Sequence, residues 1–499
     1  MVRYIACLVA LLMVVGLPVA YDPKPVAAQG RDPLTVVVAL GADASTNDPS
    51  YAGGASGYII LNQLFEPLVG RNDNMDVQAV LAESWRTVGL LTWQFKLRRG
   101  VKFHSGAPFD ANAVKFSFDR LYEVNRTGRT VFDIPLSLVK VVDQYTVNVV
   151  TKTPVANLPY YLWQIYMIDP TVYGESKSPI TDKSSGTGPF KFVEWVRDDH
   201  FTMVANKDYW GGAPQISRVT FRPIPEDSTR LSELLTGAVD IIQNVPPDQV
   251  SRIATATTQL VVAPGGRAVH AVLASNRPPF NDVRVRRAVN YAVDVRTMNR
   301  QLLGGYGEPY GAVAMPPRDN PKLKPYPYDP QKAKALMAEA GYAAGFAVTL
   351  QTPRGNYLKD AETAQAIAGY LENVGIKVTV EVLAPSVFRT ITDQDRYKEM
   401  ALRGDTGYYD GQGELAWALP EIARNGWENK EFRQVFNTLV LTFDPARRKA
   451  LILKAQEIVF NEAPWLFLWR QPGLWGTNKR VNWRARRDER IFLKTATVR

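Results

Sequence analysis

The chain has 499 residues, enough for more than one folding unit, and its 46% hydrophobic and 22% charged content is that of a globular protein with large cores. The formal net charge of +10 is dispersed; the densest basic cluster, Lys479 to Arg490, is interrupted by Asp488 and Glu489. Dispersed charge argues against a nucleic-acid-binding role and for solubility and long-range steering.

The N-terminus carries a targeting signal. Arg3 precedes an apolar run, Ile5 to Val15, and Val26-Ala27-Ala28 supplies small residues for cleavage after Ala28. The run is shorter than the ~20 residues a spanning helix needs, and no later segment is long enough. Residues 1–29 therefore read as a secretory signal peptide, whose loss removes Arg3, Lys24 and Asp22 and leaves a charge of +9. Cys7, the only cysteine, has too short an apolar segment before it to be a lipid acceptor. The mature chain then has no thiol, which excludes structural disulfides, cysteine catalysis and cysteine-ligated metal. The expectation is a soluble protein in an exported compartment.

Thr35 to Leu40 reads as a short buried strand, followed by a small-residue loop, Asp43 to Gly57, able to bring its backbone close to a ligand. Tyr58 to Leu68 reads as a helix. Trp93, Phe95 and Leu97 alternate with Gln94, Lys96 and Arg98, a half-buried strand; Arg99-Gly100 breaks it, and Val101 and Phe103 resume it. After the loop His104 to Pro108, Asp110 caps a helix with Val114, Phe118 and Leu121 at helical spacing. Thr146 to Val150 is a further strand. Ser184 to Phe192 (SSGTGPFKF) has a glycine-rich turn, but Pro189 and the alternating Phe190 and Phe192 lead into a strand rather than a helix, so it is no phosphate cradle.

Val219 to Pro223 and Val239 to Ile242 read as strands around a helix, Arg230 to Thr236, stopped by Gly237. Asp282 caps a helix at Val283 to Val293. Asp329, Pro330 and Gly341 bracket another, Gln331 to Ala340. The strand Phe346 to Gln351, helix Ala361 to Val374 and strand Ile376 to Val382 predict a parallel pair with a right-handed crossover. Two more helices follow, Glu428 to Thr442 and Pro445 to Asn461, the second capped by Asp444 and ended by Pro464. Trp465 to Trp469 closes the series as a short apolar strand.

Little in the sequence points to catalysis. The three histidines, His104, His200 and His270, share no metal-ligand spacing and read as structural or surface groups. No Gly-x-Ser-x-Gly elbow is present. A secreted hydrolase using paired carboxylates is the competing class, since sequence does not reveal which carboxylates face each other.

Several blocks in fixed order carry a family resemblance: Leu81 to Arg120, Gly186 to Trp195, Arg230 to Ile242, Val285 to Asp294, Asp329 to Gly341, Gly375 to Val382 and Glu462 to Trp469. In them the chain resembles the family 5 extracytoplasmic solute-binding proteins, the peptide- and nickel-type binding proteins of ABC importers. The resemblance implies an α/β fold of two lobes joined by a hinge of two crossing segments, with a ligand cleft between. The first lobe would hold residues 31–50, 182–265 and 477–499, split by an inserted subdomain, 51–181. The second lobe would hold 266–476, with crossings near Ala263 to Ala274 and Gln471 to Lys479. It also implies a periplasmic, non-enzymatic, monomeric receptor without a cofactor, whose partners are a solute and permease subunits.

For the solute, the resemblance implies a short peptide or peptide-like compound. Arg354, between the strand and helix of the α/β unit, matches the position that would take its carboxylate; Asp405 matches the loop that would take its ammonium. Tyr357, Tyr408 and Trp417 would be walls, with Tyr51, Gly53 and Gly54 opposite them in the first lobe. The chain departs from dipeptide-binding relatives by having Arg403 before Asp405 and Tyr409-Asp410-Gly411 after it, so Asp410 is the alternative to Asp405 and the ligand stays open. An opine, an oligosaccharide and a metal chelate are the alternatives.

Overall fold

A computed structural model describes residues 32–124, 134–176, 178–394 and 396–499; the expected signal peptide and Cys7 lie outside the described residues. The first half contains β1 (Thr35–Leu40), β2 (Val69–Arg71), β3 (Val77–Ala79), β4 (Ala82–Gly89), β5 (Thr92–Leu97), β6 (Leu136–Asp143), β7 (Thr146–Thr151), β8 (Phe190–Val196), β9 (His200–Ala205), β10 (Arg218–Pro223) and β11 (Ile241–Ile242). The second half contains β12 (Thr258–Leu273), β13 (Glu308–Pro309), β14 (Phe346–Pro353), β15 (Ile376–Leu383), β16 (Met400–Thr406) and β17 (Trp465–Asn478). One mixed sheet runs β15-β14-β16-β12-β17-β11-β1-β10-β9-β8, with β13 beside β17. Strands β4-β5-β7-β6 form a separate antiparallel sheet, and β2 and β3 a hairpin.

The local rules account for most elements. β1 lies between parallel neighbours β10 and β11, which is why TVVVAL is apolar throughout. β14 and β15 pair in parallel across the helix Asp360–Glu372, as the strand–helix–strand pattern requires. Asp110, Asp282, Asp329 and Asp444 each accept a backbone N–H in the first turn of their helices.

Val101 and Phe103 do not resume β5 as a strand; only Lys102 forms an isolated bridge, to Pro108. Two larger differences from the sequence reading concern a helix and the long central strands. The helix expected at Tyr58 to Leu68 spans Ala55–Leu64 instead. Pro67 disfavours helical backbone at Glu66, and the Leu64 carbonyl accepts the Gly188 N–H at 2.9 Å. A Cβ on Gly186 would stand 2.1 Å from the Leu64 oxygen, so the glycines of SSGTGPF let this loop pass against the helix end.

The other difference is β17, expected to stop at Trp469 but reaching Asn478, and β12, whose 16 residues include Pro264-Gly265-Gly266. The two strands pair from Thr258↔Asn478 to Ala263↔Gly473, then resume at Arg267↔Gln471. Pro472 falls inside that break, where its missing N–H costs no ladder bond. A Cβ on Gly266 would be 1.7 Å from the Arg487 oxygen, so the C-terminal segment seats directly on the bulge. Prolines and glycines that read as strand ends in isolation face each other in one bulge.

The cores fall on both sides of this bulge. Beyond it, β12 alternates: Val269, Ala271 and Leu273 pack under the helices Val283–Ala292, Pro330–Glu339 and Asp360–Glu372, while Ala268 and Val272 face Lys430–Val440 and Pro445–Glu462. Before it, β1 and β8–β10 pack on Ile59, Leu61 and Phe65 and on Ile491 and Leu493 of the C-terminal segment. Tyr166 and Tyr173 join that core, so the helix Ala55–Leu64 and the stretch around Tyr166–Tyr173 pack with β1 although the resemblance assigns 51–181 to an insertion. The β4–β7 sheet has its own core with Val114, Phe118 and Leu121.

Candidate functional site

The loops around the bulge hold Asp405 and Tyr357, with Tyr408 and Asp410 in a neighbouring patch. On the second-half side, Asp405 lies at the end of β16, opposite Ala268 of β12. Its carboxylate is 3.4 Å from the Arg403 guanidinium and 3.5 Å from His270 Nε2. Asp405 is the main cause holding Arg403 above the usual guanidinium range. His270 is buried, stacked on Trp465 at 4.5 Å, and burial pushes it down to about 4, so it is neutral at pH 7. Arg267 pairs with Glu489 at 3.1 Å and stands 5.9 Å from the Tyr357 ring centre. A Cβ on Gly404 would come within 2.6 Å of that ring, so Gly404 lets Tyr357 lie beside Asp405. Burial, then the Asp405 charge, raises the Tyr357 hydroxyl.

Tyr357 belongs to a loop that spans the bulge. The Asp360 carboxylate accepts the N–H groups of Gly355, Asn356 and Tyr357 at 3.1, 2.9 and 3.2 Å, which fixes the turn. The Leu358 N–H donates to Gln471 Oε1 at 2.9 Å, and its side chain touches both the β14 core and the small core of Leu231, Leu234 and Ile242. Lys359 pairs with Asp248 at 3.2 Å. Arg354 stands apart: its backbone joins Leu383, its side chain is exposed, and it has no hydrogen bond or ion pair among the described residues.

A second patch lies where the β2 hairpin meets residues 408–414. Tyr408 contacts Tyr161 edge-on at 5.6 Å. Arg71 Nη2 donates to the Tyr408 carbonyl at 3.0 Å, and its guanidinium stands 4.0 Å from the Trp163 ring and 5.1 Å from Tyr409. Burial draws Arg71 down to about 10. Asp410, the alternative to Asp405, is buried; it accepts the Gly413 N–H at 2.8 Å and the Asn157 amide. Glu414 accepts the N–H groups of Tyr409 and Gly411. Burial raises both carboxyls, and the pair is taken up in capping its own turn.

The remaining candidates scatter. Trp417 packs in the core of Phe432, Phe436 and Trp465 and lines neither patch. Tyr51 sits by Arg120, which forks onto Asp48 at 2.9 and 2.7 Å. Gly53 and Gly54 face open space, and Gly54 (φ +75°) starts the helix Ala55–Leu64. The structure thus joins Asp405 with Tyr357 and sets Tyr408 against the β2 hairpin. Arg71, Trp163 and Arg490 escaped the sequence reading, because no local pattern distinguishes them from surface basic or core aromatic residues.

Two cavities adjoin the second patch. One of about 620 Å³ lies between the end of the helix Ala55–Leu64, the β2–β3 hairpin and residues 482–496. The other, about 940 Å³, separates Trp85, Trp93 and Tyr160 from Arg318, Lys322 and Arg448.

An interrupted two-strand crossing with cores on either side is the architecture of a hinged binding protein. The sequence matches the bacterial extracellular solute-binding proteins, family 5 Middle, over residues 76–421, and the chain belongs to this family. The glutathione-binding protein GsiB of Pectobacterium atrosepticum is 30% identical over 479 residues, 92% of each chain; that of Salmonella paratyphi A is 30% identical over 450 residues, covering 86% of this chain and 88% of its own. Among solved structures, the ABC transporter-associated periplasmic binding protein DppA of Helicobacter pylori, in complex with the peptide STSA, superposes with a TM-score of 0.77 at 25% identity, over 92% of this chain and 98% of its own. NikA of Brucella suis, in complex with Fe(III)-EDTA, shares the fold with a TM-score of 0.83 at 23% identity, over 93% of this chain and 100% of its own. The chain therefore has the mixed α/β fold of the family 5 periplasmic binding proteins.

Proposed function

We propose that the protein is the substrate-binding component of an ABC import system, capturing a short peptide or peptide-like solute and presenting it to membrane permease subunits. It acts as an exported, monomeric receptor without a cofactor, after removal of residues 1–29. The observation that carries the reading is the paired break in β12 and β17 at residues 264–266 and 472, an interrupted crossing between cores that are separately packed. The first lobe takes residues 31–50, 182–265 and 477–499, the insertion 51–181 and the second lobe 266–476. The Arg354–Asp360 loop, reaching across to Asp248 and Gln471, acts as a clasp that closes over the solute. Relatives named for glutathione over 92% of the chain favour a peptide-like solute over an opine, an oligosaccharide or a metal chelate. Asp405 and Tyr357 meet its ammonium end, and Arg354 swings in from the rim.

A thermal-shift screen of dipeptides, glutathione, opines, oligosaccharides and metal chelates tests the reading, because a ligand of the folded state raises its stability. Saturable binding without product, with a change in tryptophan fluorescence on closure, is expected; turnover of the bound solute would overturn the receptor reading in favour of a hydrolase. Arg354→Ala should weaken a free-acid peptide much more than its amide.

A further inference from the structure

The 940 Å³ cavity lies between walls from opposite halves of the chain. Trp85 of β4 and Trp93 of β5 share one face of their sheet, since Trp85 pairs with Phe95 and Trp93 with Thr87, and Tyr160 joins them in the lining. Across from them are Phe443, Ile452 and Leu453, from the start of the helix Pro445–Glu462 and the turn before it. Four of these six side chains are aromatic, and none of the four stacks on another ring or on a cation among the described residues. Rings elsewhere do pair, as Tyr161 and Tyr408 do at 5.6 Å and Trp427 and Phe432 at 5.1 Å. Trp85, Trp93, Tyr160 and Phe443 are each half-buried. The Trp93 indole is held in place, because its Nε1 donates to the Val155 carbonyl at 2.9 Å.

The charged groups of the lining are already engaged by the protein. Arg318 Nη2 donates to Asp76 at 2.6 Å and to the Tyr160 hydroxyl at 3.0 Å. The Arg448 guanidinium donates to the Leu439 and Thr442 carbonyls and to Gln412 Oε1, at 3.0, 3.1 and 3.1 Å. Asp319 stands 3.5 Å from Arg470, and Asp410 accepts the Gly413 N–H and the Asn157 amide. Lys322 and Lys449 are exposed and reach water. What the interior offers is therefore ring and aliphatic surface. Small-molecule sites are mostly apolar and span roughly 300–1,000 Å³, and a ring gains edge-on and offset contacts from other rings that an aliphatic group does not.

We propose that this cavity binds an aromatic group, sandwiched between Trp85, Trp93 and Tyr160 on one side and Phe443 and Leu453 on the other. The group is an aromatic side chain of the transported solute or a free aromatic molecule, with the same chemistry in either case. Arg318 with Asp76 and Tyr160, and Asp410 with Asn157, already tie the two walls together at the lining. An occupant that touches both walls adds to these contacts and favours the arrangement in which the walls are together. The site uses none of Arg354, Tyr357 and Asp405, and so goes beyond the receptor reading.

Calorimetry on the full mature chain tests this with Gly-Gly, Gly-Leu, Gly-Trp and free indole. Where the group belongs to the solute, Gly-Trp should bind more than tenfold tighter than Gly-Gly and Gly-Leu. Where the molecule is free, indole should bind equally well with and without Gly-Gly. Trp85→Ala on one wall and Leu453→Ala on the other should each weaken the aromatic probe at least fivefold and Gly-Gly less than twofold, with Trp85→Phe recovering most of the loss. The melting temperature of each ligand-free variant shows whether it folds, and Leu453→Ala keeps the test open if Trp85→Ala does not. Wild-type affinity for the aromatic probes in both variants, or equal losses for Gly-Gly, overturns the site while leaving the receptor intact. Gly-Leu binding as tightly as Gly-Trp, with indole unbound, overturns it too. If none of the dipeptides binds, indole alone decides: binding that weakens in both variants upholds the site, and no binding overturns it.

Discussion

Asp405 and Arg71 lie in two patches beside the same bulge, and they are electrostatic opposites. Asp405 was legible from its motif, and its charge is already answered by Arg403 and by the Arg267–Glu489 pair beside it. Arg71 belongs to no recognisable motif, is buried, and keeps two nitrogens without partners. A satisfied charge is part of the protein's own structure, and a ligand must compete with the existing partner to use it. An unsatisfied buried charge is destabilising by itself and gains from a ligand. Sequence likeness located Asp405, and Tyr408 and Asp410 beside Arg71; only unmet hydrogen-bonding capacity points to Arg71 itself.

The harshest way to break this comparison is to disturb the bulge both patches share. Gly266→Ala places a Cβ against the Arg487 carbonyl and the Tyr409 hydroxyl, at 1.7 and 3.0 Å. It should cost about 3 kcal/mol or more, read from the urea midpoint. A loss below ~1 kcal/mol would mean that the C-terminal segment does not seat on the bulge.

Acid comes next. His270 falls from 6.5 to about 4 in the folded chain because burial disfavours its charge. The unfolded chain therefore binds the proton first, so stability declines as pH drops from about 6.5 to about 4, by at most about 3 kcal/mol. His104 is lowered to about 4 by the same cause and adds a similar decline. His270→Gln should flatten the slope of melting temperature against pH in that window; an unchanged slope would show that His270 is not desolvated.

A pair of substitutions sharpens the contrast directly. Asp405→Ala leaves Arg403 without its carboxylate and should destabilise the ligand-free protein by about 1–2 kcal/mol. Arg71→Met removes a buried charge that has no carboxylate within ion-pair distance among the described residues and should stay within about 1 kcal/mol of wild type, or stabilise. Chemical denaturation of the two variants decides; the reverse order would mean that Arg71 is the satisfied group. The smallest effect is expected at Gly53, where a Cβ meets open space. Gly53→Ala should change stability by less than ~0.5 kcal/mol, and any loss of solute affinity would place that loop against the ligand.

Helix caps, the parallel β14–β15 pair, the β5 strand and the family itself follow from the sequence because each depends on residues close together in the chain: a carboxylate three residues from an N–H, apolar residues at a fixed period, blocks in fixed order. The lengths of β12 and β17 do not, since Pro264-Gly265-Gly266 and Pro472 read as ends until they face each other across a gap of some two hundred residues. Trp417 shows the same limit, because an aromatic at a motif position becomes core or wall according to what packs on it. Arg71, Trp163 and Arg490 are brought together from three separate segments, and no local rule could have paired them. Whether a charge is already answered is a property of the space around it, and that space exists only once the chain has folded.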